Sequence, residues 1–177
     1  MISISPLSSG TVPVLVPAAR QFRAPVGRIH NVRFEDVPYI RTRGNTAARE
    51  AGLRFEAKVQ EHFTGIWPGY FAGPILHFTD DRGHNLCIPD GILLLPDRVV
   101  VFEIKSQHMP EAWWQLCRKY RPVVEVWQTD RPVQGVEVVR SYDPAMPFPC
   151  PVRVVESPTC IFNLSSKDFC VLVWKDK

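Results

Sequence analysis

Two acidic residues and a lysine near the middle of the chain have the types and spacing needed for metal-assisted hydrolysis. Asp90 follows Pro89, and twelve residues separate it from the run Glu103-Ile104-Lys105. If the two carboxylates converge, they repel each other unless a cation lies between them. A hard ion such as Mg²⁺ or Mn²⁺ prefers oxygen ligands, and the carbonyl of Ile104 would complete the protein ligands. Lys105 would then face a metal-bound water and a phosphate, so these residues predict phosphodiester hydrolysis.

A β-hairpin would bring these side chains together. Strands are predicted at Leu86–Leu95 and Val99–Lys105, with a tight turn at Pro96-Asp97-Arg98 between them. Counted back from the middle of this turn, Glu103 lies opposite roughly Gly91, next to the aspartate. Side chains alternate along a strand, so the glutamate and the lysine share one face. Burying both charges is costly, and the alternative interpretation is a plain buried ion pair.

The surrounding pattern predicts an α/β or α+β core with a mixed sheet. A first helix is predicted from about Thr46 to Phe63, with Asn45 or Thr46 as its cap. A second helix is predicted from Pro110 to about Tyr120, and Pro122 is expected to end it. The remaining predicted strands lie at Ile75–Thr79, Val123–Thr129, Val136–Arg140, Val152–Glu156, Cys160–Leu164 and Phe169–Trp174.

The central motif resembles the signature of the PD-(D/E)XK nuclease superfamily: Pro89-Asp90, twelve intervening residues, then Glu103-Ile104-Lys105. This resemblance implies a restriction-endonuclease-like α-β-β-β-α-β core, which is the element order predicted above. The first helix of such nucleases often contributes a glutamate within a Gly-x-x-aromatic-Glu context. The segment Gly52-Leu53-Arg54-Phe55-Glu56 is similar to that context. The resemblance therefore implies that Glu56 is a further metal ligand or orients a metal-bound water.

The second predicted helix carries the candidate nucleic-acid contacts. RecB-like members of the superfamily have a Gln-x-x-x-Tyr motif here, whereas this chain has four residues between Gln115 and Tyr120. Gln115 is still expected to face the site, and the branch (resolvase, phage exonuclease or RecB-like) stays open. Arg118, Lys119 and Arg121 make the end of the helix basic. This charge would suit a passing DNA phosphate, or would only offset the helix dipole.

The flanks divide the chain into three parts. Residues 1–45 are expected to be an irregular basic arm with one short strand at Val14–Val16, residues 46–130 the nuclease core, and residues 131–177 a strand-rich extension of the same domain. Residues 1–60 hold nine Lys or Arg against four Asp or Glu. Such a charge permits contact with an anionic polymer. A solvated tail, or a tail docked on a second subunit, is the alternative.

Composition limits the classes of protein that fit. The length of 177 residues allows one domain, and 17 prolines favour strands and loops over a helical bundle. The five cysteines are scattered without a CxxC, so neither a disulfide framework nor a zinc site is expected. The start of the chain makes a poor signal peptide, and no apolar run reaches the roughly 20 residues of a membrane helix. A cytoplasmic location, in the host if the chain is phage-encoded, is expected.

Together these features favour a metal-dependent deoxyribonuclease of the kind used in DNA repair or recombination. Its expected partner is DNA, and a homodimer would suit cleavage of a duplex. One alternative is a non-catalytic nucleic-acid-binding or assembly protein that keeps the nuclease fold, and another is a structural protein with a coincidental motif.

His108 follows the motif closely and is expected to be an exposed loop residue, with contact to a phosphate or base as the alternative.

Overall fold

The computed structural model describes residues 24–37, 46–145 and 150–175. The strand expected at Val14–Val16 lies outside these residues. In chain order, the helices and strands are β1 (His30–Glu35), α1 (Ala47–Ile66), β2 (Tyr70–Ala72), β3 (Ile75–Asp80), β4 (Gly83–Cys87), β5 (Gly91–Leu94), β6 (Val99–Gln107), α2 (Pro110–Trp114), α3 (Arg121–Trp127), β7 (Val133–Ser141), β8 (Val152–Val155) and β9 (Phe169–Val173). A π-helical turn, Gln115–Tyr120, joins α2 to α3, and a 3₁₀ helix occupies Pro158–Asn163.

A six-stranded mixed sheet forms the centre of the molecule, in the order β2-β5-β6-β7-β9-β8. The first three strands pair antiparallel, whereas β6, β7, β9 and β8 pair parallel. A second, antiparallel sheet has the order β1-β3-β4. The structure therefore confirms an α/β fold with a mixed sheet. The strands beyond residue 131 belong to the central sheet.

The two faces of the central sheet are covered by different elements. Helix α1 buries Phe55, Val59 and Phe63, whose spacing of four residues places them on one side of the helix. They pack with Val100 and Phe102 of β6. The opposite face of the sheet is covered by the helical segment of residues 110–127 and by the small sheet. Both faces of β6 are thus buried, which is why its sequence is almost continuously apolar.

Helix α1 begins as the sequence predicts. The hydroxyl of Thr46 accepts a hydrogen bond from the backbone N–H of Arg49 at 3.3 Å, so Thr46 is the N-cap. The helix continues to Ile66, three residues beyond the predicted end at Phe63. The Trp67 N–H still donates to the Phe63 carbonyl, and Pro68 follows at once.

The prediction of a strand at Val123–Thr129 is wrong, because the helix passes through Pro122 and continues to Trp127. The π turn explains how the helix continues past Pro122. Within it the Arg121 N–H bonds to the Leu116 carbonyl, five residues earlier. Pro122 then lies in the first turn of α3, where a missing N–H and a fixed φ are tolerated. The valines of this segment favour a strand locally, but their burial in the core decides the conformation.

Three further predictions are corrected. The strand expected at Cys160–Leu164 is part of the 3₁₀ helix, which begins with Pro158 in its first turn. The strand expected at Leu86–Leu95 is two strands, β4 and β5, that belong to different sheets. The arm of residues 1–45 is not irregular throughout, because it contains β1.

Among the described residues, no helix is long and apolar enough to cross a membrane.

Candidate active site

The β5–β6 hairpin places Asp90 across from Glu103. Gly91 pairs with Phe102, and Leu94 pairs with Val99. The predicted register, with Glu103 opposite Gly91, is therefore one residue out. The cause is the loop, because four residues rather than a turn centred on one residue join the strands, and its Leu95 N–H donates to the Arg98 carbonyl.

Asp90 is held at the end of β5 by its backbone and its side chain. The side chain is buried, with 1% of the residue exposed, and its Oδ2 accepts the backbone N–H of Ile104 at 2.7 Å. The Asp90 carbonyl accepts the N–H of Gly73 at 3.0 Å and the side-chain amide of Gln60 at 2.8 Å. The bond from the Ile104 N–H joins the aspartate directly to the Glu103-Ile104-Lys105 run. The side chain of Asp90 and the backbone of Ile104, from the two halves of the motif, are thus in direct contact.

Glu103 and Lys105 form an ion pair at the carboxyl end of β6. The glutamate is 1% exposed, whereas 25% of the lysine side chain is exposed. The pair thus joins a buried carboxylate to a partly exposed lysine side chain. Such a pair stabilises its own two charges.

Helix α1 brings Glu56 to the same end of β5. The Gln60 side-chain amide that bonds to the Asp90 carbonyl lies 3.5 Å from Oε1 of Glu56. Glu56 and Gln60 are one helical turn apart, so both face the sheet edge. Gln60 was not predicted as a site residue. The available signal was its position four residues after Glu56, and that signal is weak by itself.

A buried acid–imidazole pair lies one strand beyond Glu103. Glu137 of β7 is directly in register with Glu103. Its Oε2 lies 2.5 Å from Nδ1 of His108, and its Oε1 accepts the N–H of Met109 at 2.9 Å. His108 is buried rather than exposed, contrary to the prediction, because this carboxylate draws the imidazole inside. Glu137 itself gave no sequence signal, since its partners are about 30 residues away in the chain.

Burial sets the protonation of this pair. It raises the pKa of Glu137 to about 8; the Met109 N–H and the Lys105 charge oppose this rise, and the Glu103 charge adds to it. Burial also lowers the pKa of His108. Near neutral pH the pair therefore holds one proton between the two side chains. A neutral pair places no additional negative charge beside Glu103.

The predicted nucleic-acid contacts lie on a different part of the surface. The guanidinium of Arg118 lies 5.8 Å from the ring centroid of Trp113, and Nε of Arg121 pairs with Glu125 at 2.6 Å. Both arginines line a cleft of about 390 Å³ whose lining does not include the motif residues. The amide of Gln115 lies 3.5 Å from the Tyr120 hydroxyl.

Lys119 differs from these residues because it is inside the protein. It is 1% exposed, and its ammonium group lies 4.9 Å from the centroid of the Tyr120 ring. Its charge also lowers the pKa of Cys87, which burial raises to about 12. A buried ammonium group cannot reach a DNA phosphate at the surface, so Lys119 does not serve as the predicted contact in this conformation.

The oxygen atoms at the end of the hairpin suit a hard cation. No group of three His, Cys, Asp or Glu side chains with metal-binding geometry occurs in the described part of the chain. Mg²⁺ does not require one, because it is commonly held by one or two carboxylates and keeps several waters. Asp90 and Glu103 supply two buried carboxylates, and the Asp90–Ile104 bond places the backbone of Ile104 beside them. The donor set therefore fits Mg²⁺ or Mn²⁺.

A larger cleft of about 920 Å³ lies elsewhere, between α1 and the carboxyl end of β9. It is lined by residues that include Lys58, Glu61, His62, Trp174 and Lys175. Glu61 thus lies on a different side of α1 from Glu56, because five residues separate the two along the helix.

Comparison of the chain with protein-family models, curated proteins and solved structures finds no match.

Proposed function

We propose that the protein is a metal-dependent nuclease that hydrolyses phosphodiester bonds in DNA. The observation that carries this proposal is the hydrogen bond from the Ile104 N–H to Asp90, which joins the two halves of the motif. The element order supports a restriction-endonuclease-like core. Helix α1 precedes the antiparallel hairpin β5–β6, and a helical segment then leads to β7, parallel to β6.

Asp90, Glu103 and the Ile104 carbonyl are the proposed ligands of Mg²⁺ or Mn²⁺, and Glu56 assists from α1. When bound, the ion would neutralise the charge that develops on the phosphate and lower the pKa of a coordinated water. The protein's own contribution is positional. Asp90 cannot rotate freely, because its side chain and its carbonyl are both bonded. The active groups are thereby fixed before DNA binds.

Lys105 is the proposed group that meets the attacking water and the phosphate. Its side chain pairs with Glu103 and is 25% exposed. A cation in this position orients a water and stabilises the negative charge of the pentavalent transition state. Glu103 directs the ammonium group through their ion pair. The basic helix residues Arg118 and Arg121 are the proposed contacts to the DNA backbone, outside the catalytic centre.

The test is a cleavage assay with linear, circular, single-stranded and branched DNA, in Mg²⁺ or Mn²⁺ against an EDTA control. Lys105→Ala is expected to abolish cleavage while the circular dichroism spectrum is unchanged. Asp90→Asn is expected to abolish cleavage and to weaken Mn²⁺ binding in calorimetry. Lys175→Ala is the matched control, because that lysine is exposed and distant from the motif.

Undiminished cleavage by Lys105→Ala or Asp90→Asn would overturn the catalytic proposal. Metal-independent DNA binding without cleavage would favour the alternative, a non-catalytic nucleic-acid-binding or assembly protein with this fold. In that case the Glu103–Lys105 pair is only an ion pair, and Lys105→Met would be neutral or stabilising.

A further inference from the structure

The hydroxyl of Tyr70 is a buried polar group directed at the end of β5. Tyr70 is 6% exposed, and among the described residues no hydrogen-bond partner lies within reach of its hydroxyl. A buried hydroxyl without a partner costs free energy, so such groups are rare unless a water or ligand satisfies them. The position of this hydroxyl therefore calls for a functional explanation.

Packing fixes where the hydroxyl points. The Tyr70 ring makes edge contacts with Phe63 and Phe102, with centroids 5.5 Å and 5.6 Å away. Its strand pairs with β5, with Tyr70 opposite Leu93. Three elements thus hold the ring, and the hydroxyl has little freedom to turn toward solvent.

The hydroxyl lies against the backbone of Gly91, the residue after Asp90. A Cβ at position 91 would come within 2.2 Å of the hydroxyl oxygen, so only glycine leaves room for it. Burial raises the pKa of Tyr70, and the negative charges of Asp90 and then Glu56 raise it further. Both carboxylates are therefore close enough to act on the phenol. The hydroxyl on β2, the carboxylate of Asp90 just before β5 and that of Glu56 on α1 therefore lie near the same end of β5.

We propose that Tyr70 is a positioning residue of the site, whose hydroxyl donates through a bound water to the carboxylates of Asp90 and Glu56. A water with these three polar partners satisfies the phenol and restrains both acids. Restraint by such outer partners typically changes metal affinity about 10- to 100-fold. The proposal extends the nuclease proposal above, because it assigns a residue that supports the same two carboxylates.

The first test needs no metal. Urea unfolding is measured in EDTA for wild type, Tyr70→Phe, Asp90→Asn and the double variant. If the water links the two side chains, Tyr70→Phe lowers the unfolding midpoint in the wild-type background and lowers it less in the Asp90→Asn background, where the water keeps Glu56 as a charged partner. Tyr142→Phe, at a partly exposed tyrosine whose ring packs against His108, is expected to behave alike in both backgrounds. Equal shifts of Tyr70→Phe in the two backgrounds would overturn the inference.

The second test uses Mn²⁺ alone as the probe. Calorimetric titration of Tyr70→Phe is expected to show about tenfold weaker binding than wild type. If wild type neither binds Mn²⁺ nor cleaves DNA, the nuclease proposal fails, and the urea comparison still decides the role of Tyr70. If wild type does bind Mn²⁺ and Tyr70→Phe binds equally well, the positioning role is refuted and the nuclease proposal is unaffected.

Discussion

At the scale of single residues, the protonation of Glu137 has a measurable consequence for stability. Burial raises its pKa to about 8, so the folded protein keeps a proton that the unfolded chain has lost well below that pH. The lowered pKa of His108 acts in the opposite direction, and this effect fades as pH rises above the ordinary histidine value of 6.5. Between about pH 7 and 8 the raised pKa of Glu137 is therefore the larger of the two effects.

Within this window we expect the free energy of unfolding to fall as pH rises. The folded state binds up to one proton more than the unfolded state, so the slope approaches about 1.4 kcal/mol per pH unit at most. Glu137→Gln removes the titration and keeps an acceptor for the Met109 N–H. Urea unfolding at half-unit steps of pH is therefore expected to give a sloping series for wild type and a flatter series for the variant.

Glu125→Gln is the control, since Glu125 is exposed and pairs along its own helix with Arg121. Its pH series should run parallel to that of wild type. A Glu137→Gln series as steep as that of wild type would contradict the assignment of the proton to this buried pair.

At the scale of the elements, local sequence patterns predict the helix and the hairpin around Asp90 and Lys105. They do not predict the residues that distant strands bring to the same site. The helix cap at Thr46 and the turn before Val99 are determined by neighbouring residues, so both were predictable. The spacing of Asp90 and Glu103 then followed from the hairpin, to within one residue. Glu137 and Tyr70 reach the site through pairing of distant strands, for which a single sequence contains no local signal.

The mispredicted elements share a physical cause. Valine favours strands and proline ends helices when only neighbours are considered. In α3 the burial of Val123 and Val124 and the preceding π turn outweigh both preferences. Strand β1 has no regular local pattern, because its burial is irregular and its pairing with β3 contains a register shift. In both segments tertiary contacts, rather than neighbouring residues, decide the conformation.

Alanine is expected to have opposite effects on stability at two glycines, because Gly91 lies against Tyr70 and Gly52 does not meet a neighbouring side chain. Gly91→Ala would place a Cβ 2.2 Å from the Tyr70 hydroxyl oxygen and 2.5 Å from Cζ, and the ring is held by aromatic neighbours. We expect a loss of about 1–3 kcal/mol in the free energy of unfolding. In Gly52→Ala the new Cβ on α1 would have no atom beyond the helix's own backbone within 4 Å, so this substitution should stabilise the fold by about 0.5–1 kcal/mol. Urea unfolding of the two variants checks both signs, and a neutral Gly91→Ala would refute the tight contact.

At the scale of the whole molecule, the candidate site lies where the chain crosses between the two sheets. The chain passes from β2 to β3 at Gly73 and returns from β4 to β5 just before Asp90. The bond from the Gly73 N–H to the Asp90 carbonyl ties the two crossings together. The position of the small sheet therefore sets the position of Asp90.

Aromatic contacts hold the small sheet in place. Phe34 of β1 stacks on Trp127 of α3, with centroids 4.6 Å apart and planes 1° apart, and it meets Phe71 of β2 edge-on at 5.1 Å. One side chain of the small sheet therefore touches both the helical layer and the edge of the central sheet. This makes β1 part of the folded unit that supports the site.

Removing this contact is expected to weaken the whole fold. Trp127→Ala deletes the stacked ring and leaves a gap beside Phe34, at an expected cost of about 2 kcal/mol in the free energy of unfolding. Trp114→Ala is the matched control on the same helical segment, because Trp114 is 41% exposed and should cost less than about 0.5 kcal/mol. Equal costs for the two variants would show that the small sheet is not anchored through Trp127. A cost confined to Trp127→Ala, accompanied by loss of Mn²⁺ binding, would show that this anchor reaches Asp90.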